Sequence, residues 1–144
     1  MKTIIVIAAL VALFLTGCAS QASFKTPGVD MGAINSVYVD LRERQSSVGP
    51  ILADHLTAMG YKVTSGYGAN QGERVDAVLS FEDTWRWDIT MYLLKLSVKV
   101  RDGANKLFLA SAESYQPSLQ RQREATVVDN VLTKIFPDKA ASAK

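Results

Sequence analysis

The amino-acid sequence predicts an α+β fold, a two-layer sandwich in which two helices cover one face of a five-stranded mixed sheet, in the order β-α-β-β-β-β-α. Three observations carry this reading. Apolar and polar residues alternate with period two in several short segments, apolar residues recur at helical spacing in two others, and the first helical segment lies between two strands with little chain to spare.

The first strand is "SVYVDL", where Val37, Val39 and Leu41 alternate with Tyr38 and Asp40. Ser47 is placed to cap the helix that follows, and Pro50 falls in its first turn, where a missing N–H leaves no helical bond unmade. Leu52, Leu56 and Met59 form one stripe, and Gly60 suits the left-handed residue that ends a helix. "YKVTS" then gives a strand, so the unit is β-α-β, which favours parallel pairing through a right-handed crossover.

The glycines of "GYGANQGERVD" do not make a phosphate cradle, because such loops follow a strand and open a helix, whereas this one runs into the strand "DAVLSFEDTWRWD". Ala77, Leu79 and Phe81 share one face of that strand; Val78, Ser80 and Glu82 share the other. In "TMYLLKLSVKVRDG" the alternation places Tyr92, Leu94, Leu96, Val98 and Val100 inward and Lys95, Ser97, Lys99 and Arg101 outward. "DGANK" turns the chain and "LFLASAESY" returns it as an antiparallel strand. Val128, Val131, Leu132 and Ile135 mark the second helix, begun near Glu124 and stopped by Pro137, with Lys134 near its end suiting the helix dipole.

Ahead of the domain, Lys2 precedes the apolar run "TIIVIAALVALFLTG", which stops at Cys18 and gives way to the polar "ASQAS". That is the layout of a secretory leader. Its apolar core is short for a spanning helix, which needs about 20 predominantly apolar residues. Leu15, Thr16, Gly17 and Cys18 resemble the lipobox of bacterial lipoproteins. The resemblance implies recognition of Leu15, Thr16 and Gly17 by a dedicated signal peptidase, cleavage before Cys18, diacylglycerol (fatty acyl, palmitate-type chains) on its sulfur, and acylation of the new amino terminus. The alternative is a general leader with an incidental cysteine. One thiol in an exported chain forms no internal disulfide, and attachment of lipid accounts for it better. By the same resemblance Ala19, where retained lipoproteins often carry Asp, favours the periplasmic face of the outer membrane over the inner membrane, with Ser20 and Gln21 leaving retention open.

The expected organisation is a signal peptide over residues 1–17, a lipidated tether over 18–35, one domain over 36–137 and a flexible tail over 138–144. The chain carries 16 basic and 14 acidic residues, a balance that gives no electrostatic case for nucleic acid. The element order resembles that of small periplasmic envelope-assembly domains, such as the amino-terminal domain of TolB or the curli-secretion lipoprotein group. "WRWDITMYLLKLSVKVRDG" is similar to a stretch found in uncharacterised small lipoproteins of Gram-negative bacteria, a resemblance over residues 36–136 that brings no catalytic residues.

No enzyme, cofactor or metal site is expected. His55 is the sole histidine and sits at the edge of the first helix's apolar stripe, where contact with solvent or a backbone carbonyl is the ordinary outcome. No His or Cys pair stands at ligand spacing. Of the carboxylates Glu82, Asp83 and Asp88, the two that share a strand face lie six residues apart, which at about 3.3 Å per residue is too far for one glycosidic bond.

The expectation is a non-catalytic binding or assembly accessory of the cell envelope, held to the bilayer through acylated Cys18 and contacting an envelope protein. The candidate contact residues are Trp85, Arg86, Trp87 and Tyr92, an aromatic group with the arginine common at binding hot spots. The same aromatics suit sugar rings, so peptidoglycan or glycan binding is the alternative. Whether Trp85 and Trp87 extend the core row of Ala77, Leu79 and Phe81 or stand exposed turns on Asp83, which interrupts that row and is costly to bury unpaired.

Overall fold

The computed structural model describes residues 19–42, 46–68 and 74–143. Its strands are β1 (Ser20–Lys25), β2 (Ser36–Asp40), β3 (Lys62–Gly66), β4 (Ala77–Asp88), β5 (Thr90–Asp102) and β6 (Phe108–Tyr115). The helices are α1 (Val48–Ala58), α2 (Glu124–Ile135) and the short α3 (Lys139–Ser142), with 3₁₀ turns at Met31–Ala33 and Ser118–Gln120.

The six strands form one mixed sheet in the order β1-β6-β5-β4-β2-β3. β2 pairs in parallel with β3 on one side and β4 on the other, as the β-α-β reading requires, while β4, β5, β6 and β1 form an antiparallel run. α1 and α2 lie together against one face. Between helices and sheet, Val37, Val39, Leu52, Leu56, Leu79, Leu96, Val98, Val128, Leu132 and Ile135 are fully buried. This is the predicted α+β sandwich, with the predicted alternation and helical stripes filling its core. Gly49 lets α1 approach the sheet, since a Cβ there would collide with Leu41 and come within 3.2 Å of Phe81 Cζ.

The structure differs from the sequence expectation at both ends of the domain. Ser20–Lys25, expected within a tether, is a sixth strand paired with β6 from Ser20 opposite Tyr115 to Lys25 opposite Ala110. All six of its side chains are exposed, so no apolar period marks it. What recruits it is the open backbone edge of β6, helped by Phe24 stacked on Phe108 at 5.9 Å and by Thr26 N–H donated to Leu109 O at 2.8 Å. Met31 and Ile34, also in that segment, are buried in the core. At the other end, the expected tail forms α3: the backbone N–H groups of Lys139 and Ala140 donate to Met59 O, and Lys139 Nζ donates to Ile34 O and Asn35 Oδ1.

Two local expectations also shift. The first turn of α1 is capped one residue earlier than expected, Ser46 Oγ accepting from Val48 N–H at 3.2 Å while Ser47 makes no cap bond. In β5, a bulge opposite Thr84 and Trp85 leaves Leu94 without a partner, because Thr84 faces Lys95 and Trp85 faces Leu93. Alternation reverses across it. Leu93 is therefore the buried residue, Leu94 is half-buried, and Tyr92 is not on the core row with Leu96.

Candidate functional site at the rim of the sheet

β6 pairs with β5 only from Lys95 onward, so the hairpin of residues 85–94 overhangs the sheet and is held mainly by its own ladder. The turn is tight: Asp88 faces Thr90, and Ile89 alone spans it at φ 63°. An L-residue there crowds its Cβ against the following carbonyl, and a β-branched one does so most.

The four predicted contact residues are divided by this geometry. Trp85 is half-buried against the core, its Nε1–H donated to Asp83 Oδ2 at 2.7 Å. Tyr92 is 7% exposed, with the Arg121 guanidinium 4.7 Å from its ring centre. Arg86 and Trp87 are exposed. Trp85, Trp87 and Tyr92 therefore do not share one exposed cluster, since Asp83 draws the first ring in and Arg121 covers the third; on the question left open by the sequence, Trp85 continues the core row and Trp87 stands exposed. The apolar surface that does stand out is Trp87, Ile89 and Met91, at 70%, 85% and 56% exposed. Trp87 and Met91 face each other across the ladder, next to the turn.

Residues that carried no sequence signal fix this rim. Arg121 donates through Nη2 to Asp88 Oδ2 and through Nη1 to Thr90 Oγ1, each at 2.9 Å, and through Nε to Ser118 O at 2.8 Å. It thereby clamps the 3₁₀ turn, with its 94% exposed Leu119, to the hairpin. Gln116, buried, donates through its backbone to Leu94 O and through its side chain to Leu93 O, tying down the bulge. Gln120 Oε1 accepts from Ala19 N–H at 2.9 Å, which brings the start of β1 to the same rim. Leu15, Thr16, Gly17 and Cys18 lie outside the described residues.

The remaining candidates have structural partners. His55 Nδ1 lies 3.1 Å from Ile51 O, one helical turn back. Glu82 faces Arg42 and Lys99 at 3.9 and 4.0 Å on the exposed sheet face, Asp83 is inward, and Asp88 is held by Arg121, so the three carboxylates do not converge. A cleft of about 350 Å³ is lined by Asp30, Asp76 and Asp102, but each caps backbone: Asp30 takes Gly32 N–H, Asp76 takes Asn35 and Ser36 N–H, and Asp102 takes Ala104 and Asn105 N–H. Those bonds hold the Asp76 carboxyl below its ordinary range. Among the described residues no group of three or more His, Cys, Asp or Glu is arranged for a metal, and no helix is long and apolar enough to cross a membrane.

No family model and no curated protein matches the chain. Solved structures do. The PelC dodecamer from Paraburkholderia phytofirmans is similar over 82% of this chain and 94% of its own at 17% identity and a TM-score of 0.56. A DUF4136 family protein from Bacteroides thetaiotaomicron is similar over 84% of this chain and 98% of its own at 9% identity and a TM-score of 0.55. TolB from Acinetobacter baumannii gives 14% identity, 77% and 28% coverage and a TM-score of 0.45. At these identities the first two share the fold, and fold alone does not carry function.

Proposed function

We propose that this chain is a lipid-anchored protein on the periplasmic face of the outer membrane, a non-catalytic assembly module that associates with other protein chains, in the first place further copies of itself. The observation that carries the reading is the sheet face that no described helix covers. Among the described residues both main helices lie on one side, and the other presents the small side chains Ser20, Ala22, Ser80, Ser97 and Ser111 beside the stacked and exposed Phe24 and Phe108. Its Lys95 and Glu113 pair with each other at 2.8 Å and Glu82 lies 3.9 and 4.0 Å from Arg42 and Lys99, so its charges are largely matched within the face, and Ala22, Phe24, Ser97 and Ser111 line a shallow hollow of about 320 Å³. Exposed aromatic area on such a surface suits protein association. The similar fold of PelC, whose structure is that of a dodecamer, supports a second copy as the occupant.

Glycan binding loses its geometric support, because Trp85 points into the core and Tyr92 lies under Arg121.

The test is the mass of the anchored protein in detergent by light scattering, together with a photo-crosslinking residue at Ser97 and a control at Asp129 on the exposed side of α2. Oligomers and crosslinks from Ser97 but not Asp129 are expected. A monomer at every concentration, with no protein crosslinked from Ser97 in cells, overturns the reading.

A further inference from the structure

We infer that the tip of the β4–β5 hairpin is a second membrane contact, with Trp87, Ile89, Met91 and the neighbouring Leu119 seated in the interfacial layer of the bilayer that holds the Cys18 anchor. The inference rests on the lipid-anchor reading for its geometry, and two independent observations point to it.

The first is position. β1 starts at Ser20 opposite Tyr115, Tyr115 faces Lys95, and Lys95 faces Thr84, so the chain leaves towards Cys18 at the end of the sheet from which the hairpin projects. Ala19, one peptide bond from Cys18, is bonded to Gln120, the residue after Leu119, and Arg121 joins that turn to the hairpin. The hairpin runs five residues beyond Thr84, or about 17 Å at 3.3 Å per residue, past the rim where the anchor departs. A bilayer at Cys18 therefore meets the tip. Acyl chains at one point leave a domain free to turn about that point; a second apolar contact fixes its orientation.

The second is the chemistry of the turn. Ile89 occupies the left-handed region, where Gly or Asn would relieve the crowding, and its side chain is 85% exposed, so packing among the described residues does not offset the strain. An apolar surface outside the chain would reward isoleucine there. Tryptophan beside it is the residue type that settles at the headgroup level.

The experiment couples the chain from Cys18 onward, through its single thiol, to maleimide-bearing lipid in phosphatidylethanolamine and phosphatidylglycerol vesicles carrying spin-labelled lipid near the headgroups. Tryptophan emission should shift to the blue and fall by about half, and Trp87→Phe should abolish both changes. Ile89→Asp should abolish the quenching while the chain stays coupled. Ile89→Gly should raise the melting temperature and weaken the quenching together. Unquenched Trp87 on coupled protein overturns the inference, as does full quenching in folded Ile89→Asp, which would reflect mere proximity. Because coupling is chemical, the result does not depend on acylation in cells. The mass of Cys18 in protein extracted from membranes tests that reading separately.

Discussion

The Trp85 indole N–H and the Ser46 hydroxyl both donate to Asp83 Oδ2, at 2.7 and 2.8 Å. Asp83 sits in the inward row of β4 after Phe81 and before Trp85, at the start of α1. An unpaired carboxylate would end the core there; one with two donors lets the row continue. Asp83→Ala leaves both donors unmet and should cost about 1–3 kcal/mol in urea unfolding. Glu82→Ala, whose ion pairs are exposed and long, should cost less than about 0.5 kcal/mol. Equal costs would mean that Asp83 does not organise this corner.

The bulge makes a sharper test of register. Leu93 and Leu96 are fully buried on either side of it. Leu93→Ala and Leu96→Ala should each cost about 2–5 kcal/mol, and Lys95→Ala well under about 1. Leu94→Ala should fall clearly below its two leucine neighbours. Simple alternation without a bulge demands the reverse ranking of Leu93 and Leu94, so the same denaturation series decides between them.

Asp76 should make the fold sensitive to acid. Its carboxyl is held low first by Asn35 N–H and then Ser36 N–H, with Lys139 nearby adding to the effect. A lowered folded-state pKa means that the stabilisation is complete above the ordinary carboxylate range and is lost as pH falls through the folded value. Asp76→Asn should therefore flatten the acid limb of a plot of melting temperature against pH, with little change in slope at neutral pH. An acid limb unchanged in Asp76→Asn would remove Asp76 from the explanation.

Tyr61 should act at the alkaline end. Burial, and then the charge of Asp138, push its hydroxyl up to about 12, while the O–H donates to Pro137 O at 2.8 Å and Lys139 Nζ stands 5.0 Å from the ring centre. The raised value makes this stabilisation complete below pH about 10, the ordinary tyrosine value, and lost as pH climbs through about 12. Tyr61→Phe should melt lower than the native chain at pH 8, and the gap should narrow between pH 10 and 12. A gap that is constant across that window would show that ionisation of Tyr61 is not felt by the fold.

What was legible in the sequence was whatever repeats locally. Val37 and Val39, or Val128, Val131 and Leu132, announce a buried face by spacing alone, and β2 to β6 with both main helices follow from such runs. β1 carries no such mark because all six of its side chains are exposed and its stabilisation comes from backbone pairing with a distant strand. The bulge was equally invisible, since one inserted residue reverses the faces of β5 without changing its composition. The rim depends on bonds across large sequence gaps, Arg121 to Asp88 over 33 residues and Ala19 to Gln120 over 101, which no local pattern encodes. The motif "WRWDITMY" was visible as aromatic-rich, but which rings face water was set by Asp83 and Arg121.

Anchoring can be separated from folding at Cys18. Among the described residues, which begin at Ala19, the sheet is built by strands β1 to β6, with Ala19 N–H bonded to Gln120 at its rim. Cys18→Ser removes the sulfur that the lipobox resemblance assigns to diacylglycerol, and multiple acyl chains at about 0.8 kcal/mol per buried methylene would otherwise hold the chain effectively permanently. Metabolic labelling with a radioactive or alkyne fatty acid should mark the native protein and leave Cys18→Ser unmarked. The variant should be recovered either uncleaved or in the soluble fraction. Its folded domain, cut free from any retained leader, should melt within about 1 °C of the native domain if Cys18 serves the membrane alone, since substitutions away from packed or bonded features change stability little. Label retained on Cys18→Ser would sink the lipobox reading, whereas loss of label with a lowered melting temperature would show that Cys18 serves the fold as well as the membrane.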